Sequence, residues 1–242
     1  MAEFVFADDY RLGRNGTRQF YELFLKGYIH KHNNLMGVIQ GFSSLILYDE
    51  SINEEVRESA EQMQSSAKAA TELNRDVMGA SGCGRIDMGT VRFSDILPYW
   101  KSKAEEICGA ARVNFALHAR ENLPHVTADS GKMGELLFHL IRNAAESAAD
   151  FPQGSVAIDI FPPGEASPGT NVDLFIRNTS VDLNTDTVRR FFIPFETSKG
   201  SDHFGIGLTT AAVLAGDMGM RLGLRSAEGT MTTWLAVPAE AG

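Results

Sequence analysis

The sequence predicts an α+β chain in two parts: an antiparallel helical hairpin, then an α/β sandwich. Three observations carry that prediction. Apolar residues recur at helical spacing over two long runs, separated by the short polar stretch 48–53. The segment Gly79-Ala80-Ser81-Gly82-Cys83-Gly84 then ends the helical texture. Beyond it, strand-like runs interleave with amphipathic helical runs, as in helices laid over one face of a mixed sheet. The expected divisions are a polar lead-in over 1–13, the hairpin over 14–80, a linker over 81–92 and the sandwich over 93–240.

The first helix runs from about Gln19 to Tyr48. Phe24, Tyr28, Leu35, Val38, Phe42 and Leu45 share one face, and His30, Asn34, Gly37, Gly41 and Ser44 share another. Two glycines inside a helix cost about 1 kcal/mol each relative to alanine. Close helix packing would explain them, and so would a partner's loop that must approach the His30 face. After the polar connection, Ile52, Val56, Ala60, Met63, Ala67, Ala70, Asn74 and Val77 give the second helical stripe, with Glu54, Glu55, Arg57, Glu58 and Glu61 outside it. Helices joined so tightly must be antiparallel neighbours. A lone hairpin cannot cover both of its apolar faces, so a homodimer forming a four-helix bundle is expected.

In the second part, 95–111 reads as a helix that tolerates Pro98 near its start. Residues 113–117 alternate as a strand, and Asp129 or Ser130 caps a helix running to about Ala149. Strands are expected at 155–161, 172–177, 221–225 and 230–237, with a helix over 206–218.

Bulk properties narrow the function. The 242 residues suit one large domain or two modest ones, and 43% hydrophobic with 22% charged residues is an ordinary globular composition. A net charge of −9 argues against a nucleic-acid partner, which requires a basic face. Cys83 and Cys108 lie far apart without zinc-ligand spacing and read as reduced thiols of a cytoplasmic protein. No apolar run reaches the ~18 residues of a membrane span, and no signal-peptide pattern opens the chain. Membrane insertion is therefore not expected.

Two constellations carry chemistry. An imidazole on a helix surface, as at His30, can carry a phosphoryl group. An asparagine on a helix (Asn143) and a glycine-rich turn leading into another helix (Gly205-Ile206-Gly207-Leu208) can hold a nucleotide and its metal. Together they suggest phosphoryl transfer through histidine.

These residues also resemble the cytoplasmic core of a two-component sensor histidine kinase. His30-Lys31-His32-Asn33-Asn34-Leu35 resembles the H box, and Glu135 to Ala148 resembles the N box. Phe192-Ile193-Pro194-Phe195-Glu196-Thr197-Ser198-Lys199 resembles the F box, and Gly205-Ile206-Gly207-Leu208 the second glycine box. Four boxes in order across nearly the whole chain make the resemblance specific. It implies a dimerisation and phosphotransfer hairpin followed by an ATPase domain of the histidine kinase, gyrase and Hsp90 type. It makes His30 the phosphoacceptor, with His32 second. It assigns Asn143 to the Mg²⁺ that bridges the ATP phosphates, and Asn178, Lys199, Gly205, Gly207 and Leu208 to the nucleotide. The implied partner is the receiver domain of a response regulator. No sensor segment accompanies the core, so a separate sensor protein is a further candidate partner.

Three departures from the family pattern bear on activity. Lys31 stands where the family has an acid that assists the attacking imidazole; as a cation it opposes protonation of His30 instead. Asn178-Thr179-Ser180-Val181-Asp182 stands where an Asp-x-Gly-x-Gly reads adenine. Asn178 still accepts through its carbonyl oxygen, but without charge the bond is weaker, and Ser180 and Asp182 add side chains near the base. His139 sits one helical turn before Asn143, where it is able to act as a base, bind metal or simply pack. The sequence therefore leaves a soluble kinase, a histidine phosphotransferase or pseudokinase that relays through His30 without ATP, and an anti-sigma-type serine kinase. The His30 helix speaks against the last, and the larger part of a nucleotide site favours the first. If the missing acid limits the reaction, Lys31→Asp raises labelling of His30 from radiolabelled ATP; unchanged labelling places the limit in the nucleotide site.

Overall fold

A computed structural model describes residues 4–6, 17–82, 85–196 and 205–240. It comprises two compact units, Gly13–Gly84 and a discontinuous one made of Met1–Leu12 with Arg85–Gly242.

The first unit is the hairpin of α1 (Thr17–Tyr48) and α2 (Glu54–Ala80). Asn53 caps α2, its side-chain oxygen accepting from the Val56 N–H at 2.9 Å. Glu54 and Glu55 follow in the first turn, where carboxylates suit the helix dipole. Within the connection, the Ser51 hydroxyl and N–H both donate to Asp49 and hold its carboxyl below the usual range. The seam between the helices has a seven-residue period. Ile29 and Ser43 are buried on α1, and Ala60, Ala67 and Asn74 on α2. A sevenfold repeat keeps one line of each helix in contact over their whole length. The bulkier stripe lies outside that seam: Tyr28, Leu35, Val38, Phe42 and Leu45 are 53%, 61%, 55%, 62% and 67% exposed.

The second unit is built on a six-stranded sheet ordered β1-β7-β8-β6-β5-β3. Its strands are β1 (Val5–Phe6), β3 (Asn114–Ala119), β5 (Ser155–Phe161), β6 (Asn171–Thr179), β7 (Arg221–Ala227) and β8 (Thr230–Pro238). β3 runs parallel to β5 and the other pairs are antiparallel, giving the mixed sheet expected. A separate ribbon pairs β2 (Gly89–Val91) with β4 (Val126–Ala128). The helices are α3 (Phe93–Ala110), α4 (Ser130–Ala148), α5 (Thr185–Arg190) and α6 (Gly207–Asp217). Ile158, Ile160, Leu174, Ile176, Leu222 and Leu235 of the sheet meet Trp100, Leu136, Leu137 and Ile141 of the helices in one core. Cys108 is buried there, and burial pushes its thiol up to about 11, leaving it protonated and inert. Among the described residues, no helix is long and apolar enough to cross a membrane.

The strands and long helices fall where periodicity placed them, and the differences have physical reasons. β2 and β4 have three residues each, too few to show an alternation. α5 has six and is announced only by its cap, the Asn184 oxygen accepting from the Thr187 N–H. β1 lies within the stretch read as a polar lead-in: Val5 and Phe6 pair with Leu224 and Gly223 on the edge of β7. Phe4 adds its ring to Trp234 (5.3 Å between centroids) and lies under the Arg225 guanidinium at 4.9 Å. Phe4 thereby extends a row of rings, Phe161, Phe175 and Trp234, across the sheet face.

The turn after α4 is a sensitive joint. A β-carbon at Gly154 would lie 1.9 Å from the Ala148 carbonyl oxygen, a backbone atom that cannot yield. Gly154→Ala is expected to cost about 3 kcal/mol, the upper end of overpacking penalties. Gly109, near the end of α3, has open space at the same position, and Gly109→Ala is expected to stabilise by up to about 1 kcal/mol through helix propensity. Urea unfolding midpoints of the two variants test the contrast.

Candidate functional site

In the hairpin, α1 presents His30 and Lys31 to solvent, while His32 and Asn33 are half-buried toward α2. Among the described residues the His30 side chain makes no hydrogen bond. His32 is tied down. Its Nδ1 lies 2.8 Å from Asn74 Nδ2, and its ring stacks with Tyr28 at 5.7 Å. The same amide nitrogen donates to Asn33 Oδ1 at 2.6 Å. Asn74 was legible in the sequence only as a polar member of an otherwise apolar stripe, and its place in the seam is what gives it partners. One stretch along, Gln64 Nε2 donates to Ser44 Oγ at 2.9 Å across the same helix pair.

In the sheet unit, α4 and α6 bring Asn143 and Gly207 together. A β-carbon at Gly207 would sit 3.7 Å from both Asn143 side-chain polar atoms and 3.5 Å from His139 Nδ1. The first turn of α6 therefore opens directly beside Asn143, with bare backbone N–H groups at its end. α4 is aimed by its start. Asp129 Oδ1 accepts from the Lys132 N–H at 3.0 Å, and Oδ2 from the Asp87 N–H at 2.9 Å. Burial alone would raise the Asp129 carboxyl, but the backbone donors of Lys132, Asp87 and Gly131 together hold it below its ordinary value. A depressed carboxyl contributes stability above its unfolded pKa, and that contribution is lost as pH falls through the folded value.

Gly205 has φ +64, and a β-carbon there would meet the Glu196 carbonyl oxygen at 2.8 Å. Its own carbonyl accepts from the Phe195 N–H at 3.0 Å. Glycine is thus required at this point by conformation and by space. Leu208 is half-buried against the core. Lys199 lies outside the described residues.

Asn178 is 4% exposed on β6, on the face that meets the helices, and its Nδ2 donates to the Thr179 carbonyl at 2.9 Å. Ser180 and Asp182, read as side chains near a base, both have partners. The Ser180 N–H donates to the Gly229 carbonyl, the Gly229 N–H donates to Asp182 Oδ1 at 2.8 Å, and Ser180 Oγ donates to the Val181 carbonyl. Ser226 Oγ accepts from the Leu183 N–H at 2.9 Å. These bonds fasten segment 180–183 to the turn between β7 and β8.

Asn143 offers a neutral oxygen, and among the described residues no cluster of three histidine, cysteine, aspartate or glutamate side chains could hold a metal. That donor set fits a Mg²⁺ that takes its other ligands from water and phosphate, and it does not fit a metal caged by protein alone.

Sensor histidine kinase ZraS of Salmonella typhimurium is 24% identical over 186 residues, covering 74% of this chain and 38% of that protein. ZraS of Salmonella typhi is 23% identical over the same coverage. The chain thus spans well under half the length of the curated relatives it matches. No protein-family model matches it. Among solved structures, full-length ShkA in complex with AMPPNP superposes with a TM-score of 0.74 at 19% identity, covering 90% of this chain and 46% of ShkA. Histidine kinase ThkA in complex with response regulator TrrA gives 0.60 at 15% identity, covering 87% and 59%. Histidine kinase AdeS of Acinetobacter baumannii gives 0.58 at 14%, covering 85% and 96%. The chain has the fold of a histidine kinase core, a helical hairpin followed by the ATPase-type sandwich.

Proposed function

We propose that this chain is the catalytic core of a two-component histidine kinase. It binds ATP with Mg²⁺, phosphorylates His30 and passes the phosphoryl group to an aspartate on a response-regulator receiver domain. The observation that carries the reading is the convergence of Asn143 and the start of α6 at Gly207, in a chain that also presents an exposed His30. The similarity to ZraS, and to histidine kinases crystallised with AMPPNP or with a response regulator, supports it.

In this reading the α6 N–H groups receive phosphate oxygens, and Asn143 supplies one ligand of the metal that draws charge off those phosphates when bound. Lys199 meets the phosphates as a point charge. Asn178 faces the adenine amino group with its carbonyl oxygen. A ring-nitrogen lone pair of neutral His30 attacks the γ-phosphorus, and the bond to the β-phosphate oxygen breaks, releasing ADP. The imidazolium formed gives its proton to solvent, because Lys31 cannot take it. The receiver carboxylate then attacks the same phosphorus, and the P–N bond breaks. Catalysis of this kind is mostly positioning and charge neutralisation. The relay reading, without ATP, draws on Lys31, which cannot take the proton of the attacking imidazole.

The exposed row on α1 is read as the face of a homodimer. Leu35, Val38, Phe42 and Leu45 alternate spacings of three and four, the pattern of a coiled-coil seam, and all are more than half exposed. A second copy would bury them in a four-helix bundle.

Two experiments test these readings. Calorimetry is expected to show micromolar Mg-ATP binding that Asn143→Ala weakens at least about tenfold, the loss of roughly one metal ligand or second-sphere contact. In parallel, His30→Gln abolishes labelling from ATP. No binding at millimolar ATP overturns the kinase reading in favour of the relay. Sedimentation is expected to show a dimer that Phe42→Glu with Leu45→Glu converts to monomer; a wild-type monomer at all concentrations overturns the four-helix bundle.

A further inference from the structure

We propose that Asn74 decides which of two neighbouring imidazoles takes a phosphoryl group, by holding His32 in the tautomer that cannot. The inference rests on the reading of the His30 region as a phosphoacceptor, and it adds a positioning residue on the opposite helix.

His30 and His32 sit two residues apart on α1, and either imidazole is chemically competent to attack phosphorus. Their surroundings differ. His30 is exposed, and its side chain makes no hydrogen bond among the described residues. His32 Nδ1 lies 2.8 Å from Asn74 Nδ2. An amide nitrogen only donates. With the amide in this sense, His32 Nδ1 is the acceptor and the ring proton sits on Nε2.

That assignment occupies both nitrogens of His32. The Nδ1 lone pair is spent on Asn74, and Nε2 has no in-plane lone pair because it carries the hydrogen. The sense of the amide is supported by Asn33 Oδ1, which takes its second hydrogen at 2.6 Å. Turning Asn74 over by itself would set its oxygen against the Asn33 oxygen. Asn74 is 6% exposed, so an orphaned polar group there would have little access to water. Tyr28 stacks on the His32 ring at 5.7 Å and narrows the approach further. Attack by His32 must first break a buried hydrogen bond, a handicap of roughly ten- to a hundredfold in rate. His30 carries no such handicap.

The test uses the full chain and potassium phosphoramidate, a donor that phosphorylates imidazole without ATP or a partner. A ring-nitrogen lone pair forms the new P–N bond, the donor's own P–N bond breaks, and ammonia leaves. The imidazolium formed releases its extra proton to the buffer. The reaction is run at mildly alkaline pH, where imidazoles are neutral, and the modified residue is identified by mass spectrometry.

In the wild type, His30 is expected to be labelled at least about tenfold faster than His32. His30→Gln removes most of the label carried by the α1 peptide with residues 30 and 32, scored apart from the exposed His118 and His125. Adding Asn74→Asp to that variant restores it, now on His32, because a carboxylate only accepts; it moves the ring proton to Nδ1 and frees the Nε2 lone pair. Ring-nitrogen NMR follows the tautomer directly, with the proton on Nε2 in the wild type and on Nδ1 in Asn74→Asp. Equal labelling of the two histidines in the wild type, or a wild-type His32 protonated on Nδ1, overturns the proposal. If Asn74→Asp loses helicity, the wild-type labelling ratio and tautomer decide on their own. Selective labelling of His30 by phosphoramidate with none from Mg-ATP upholds Asn74's role while removing the kinase reading.

Discussion

The packing of α4 against the sheet is the constraint on which the sheet unit depends. One side of that helix is core: Met133, Leu136, Leu137, Leu140, Ile141, Ala144, Ala145 and Ala148 are all buried. Each of the larger side chains contributes about 1.5–3 kcal/mol by burial. The adjoining edge of the same helix carries His139 and Asn143, a turn apart and half-buried toward α6. Turning the helix by one residue swings every side chain through about 100°, which would carry Asn143 away from Gly207 and expose a leucine. The hydrophobic side of α4 therefore sets the rotation of the polar edge. Asp129 fixes the other end of the lever, bonding to Lys132 within the helix and to Asp87 in the segment before β2.

The hairpin solves a different problem. Apart from Ile29, its seam is made of small and polar residues, with Ala60 and Ala67 facing α1 and Asn74 meeting His32 and Asn33. Alanines allow close approach but favour no single register strongly. A buried asparagine does, because a slip in either direction leaves its amide without partners. The apolar weight of α1 has gone instead to the outside, into the row from Leu35 to Leu45. One helix thus keeps a polar register mark on its inner line and a hydrophobic seam on its outer line.

Much of the fold was legible because its long elements bury continuous stripes, and a stripe leaves a period in the sequence. The β5, β6 and β8 strands alternate or run apolar, and α4 repeats at helical spacing, so their limits fell within a few residues. Strands of two or three residues and a helix of six leave no period, and β1, β2, β4 and α5 escaped for that reason. The candidate site was legible unevenly. Asn143 and Gly207 are far apart in sequence, and only resemblance suggested that they meet. Ser180 and Asp182 were read by position as side chains near a base. The bonds they make to Gly229 depend on the β7–β8 turn, whose approach no local pattern announces. Asn74 was visible, but its partners lie on the other helix, and an asparagine's role is set by what it faces.

Strand β1 carries a consequence for the order of events during synthesis. Val5 pairs with Leu224, so β1 closes on an edge that is made roughly 220 residues later. At about 5–20 residues per second, on the order of 10–40 s separate the two. Until β7 exists, β1 lacks the strand it pairs with, and β3, β5 and β6 are made before it docks. The loop it closes is long, but closure entropy grows only logarithmically with length, so delay rather than cost is the penalty. A two-residue strand held by one edge and one aromatic ring belongs to the least stable end of the structure. Its amide hydrogens should exchange well before those of β6 or β8, while the sheet beneath stays closed.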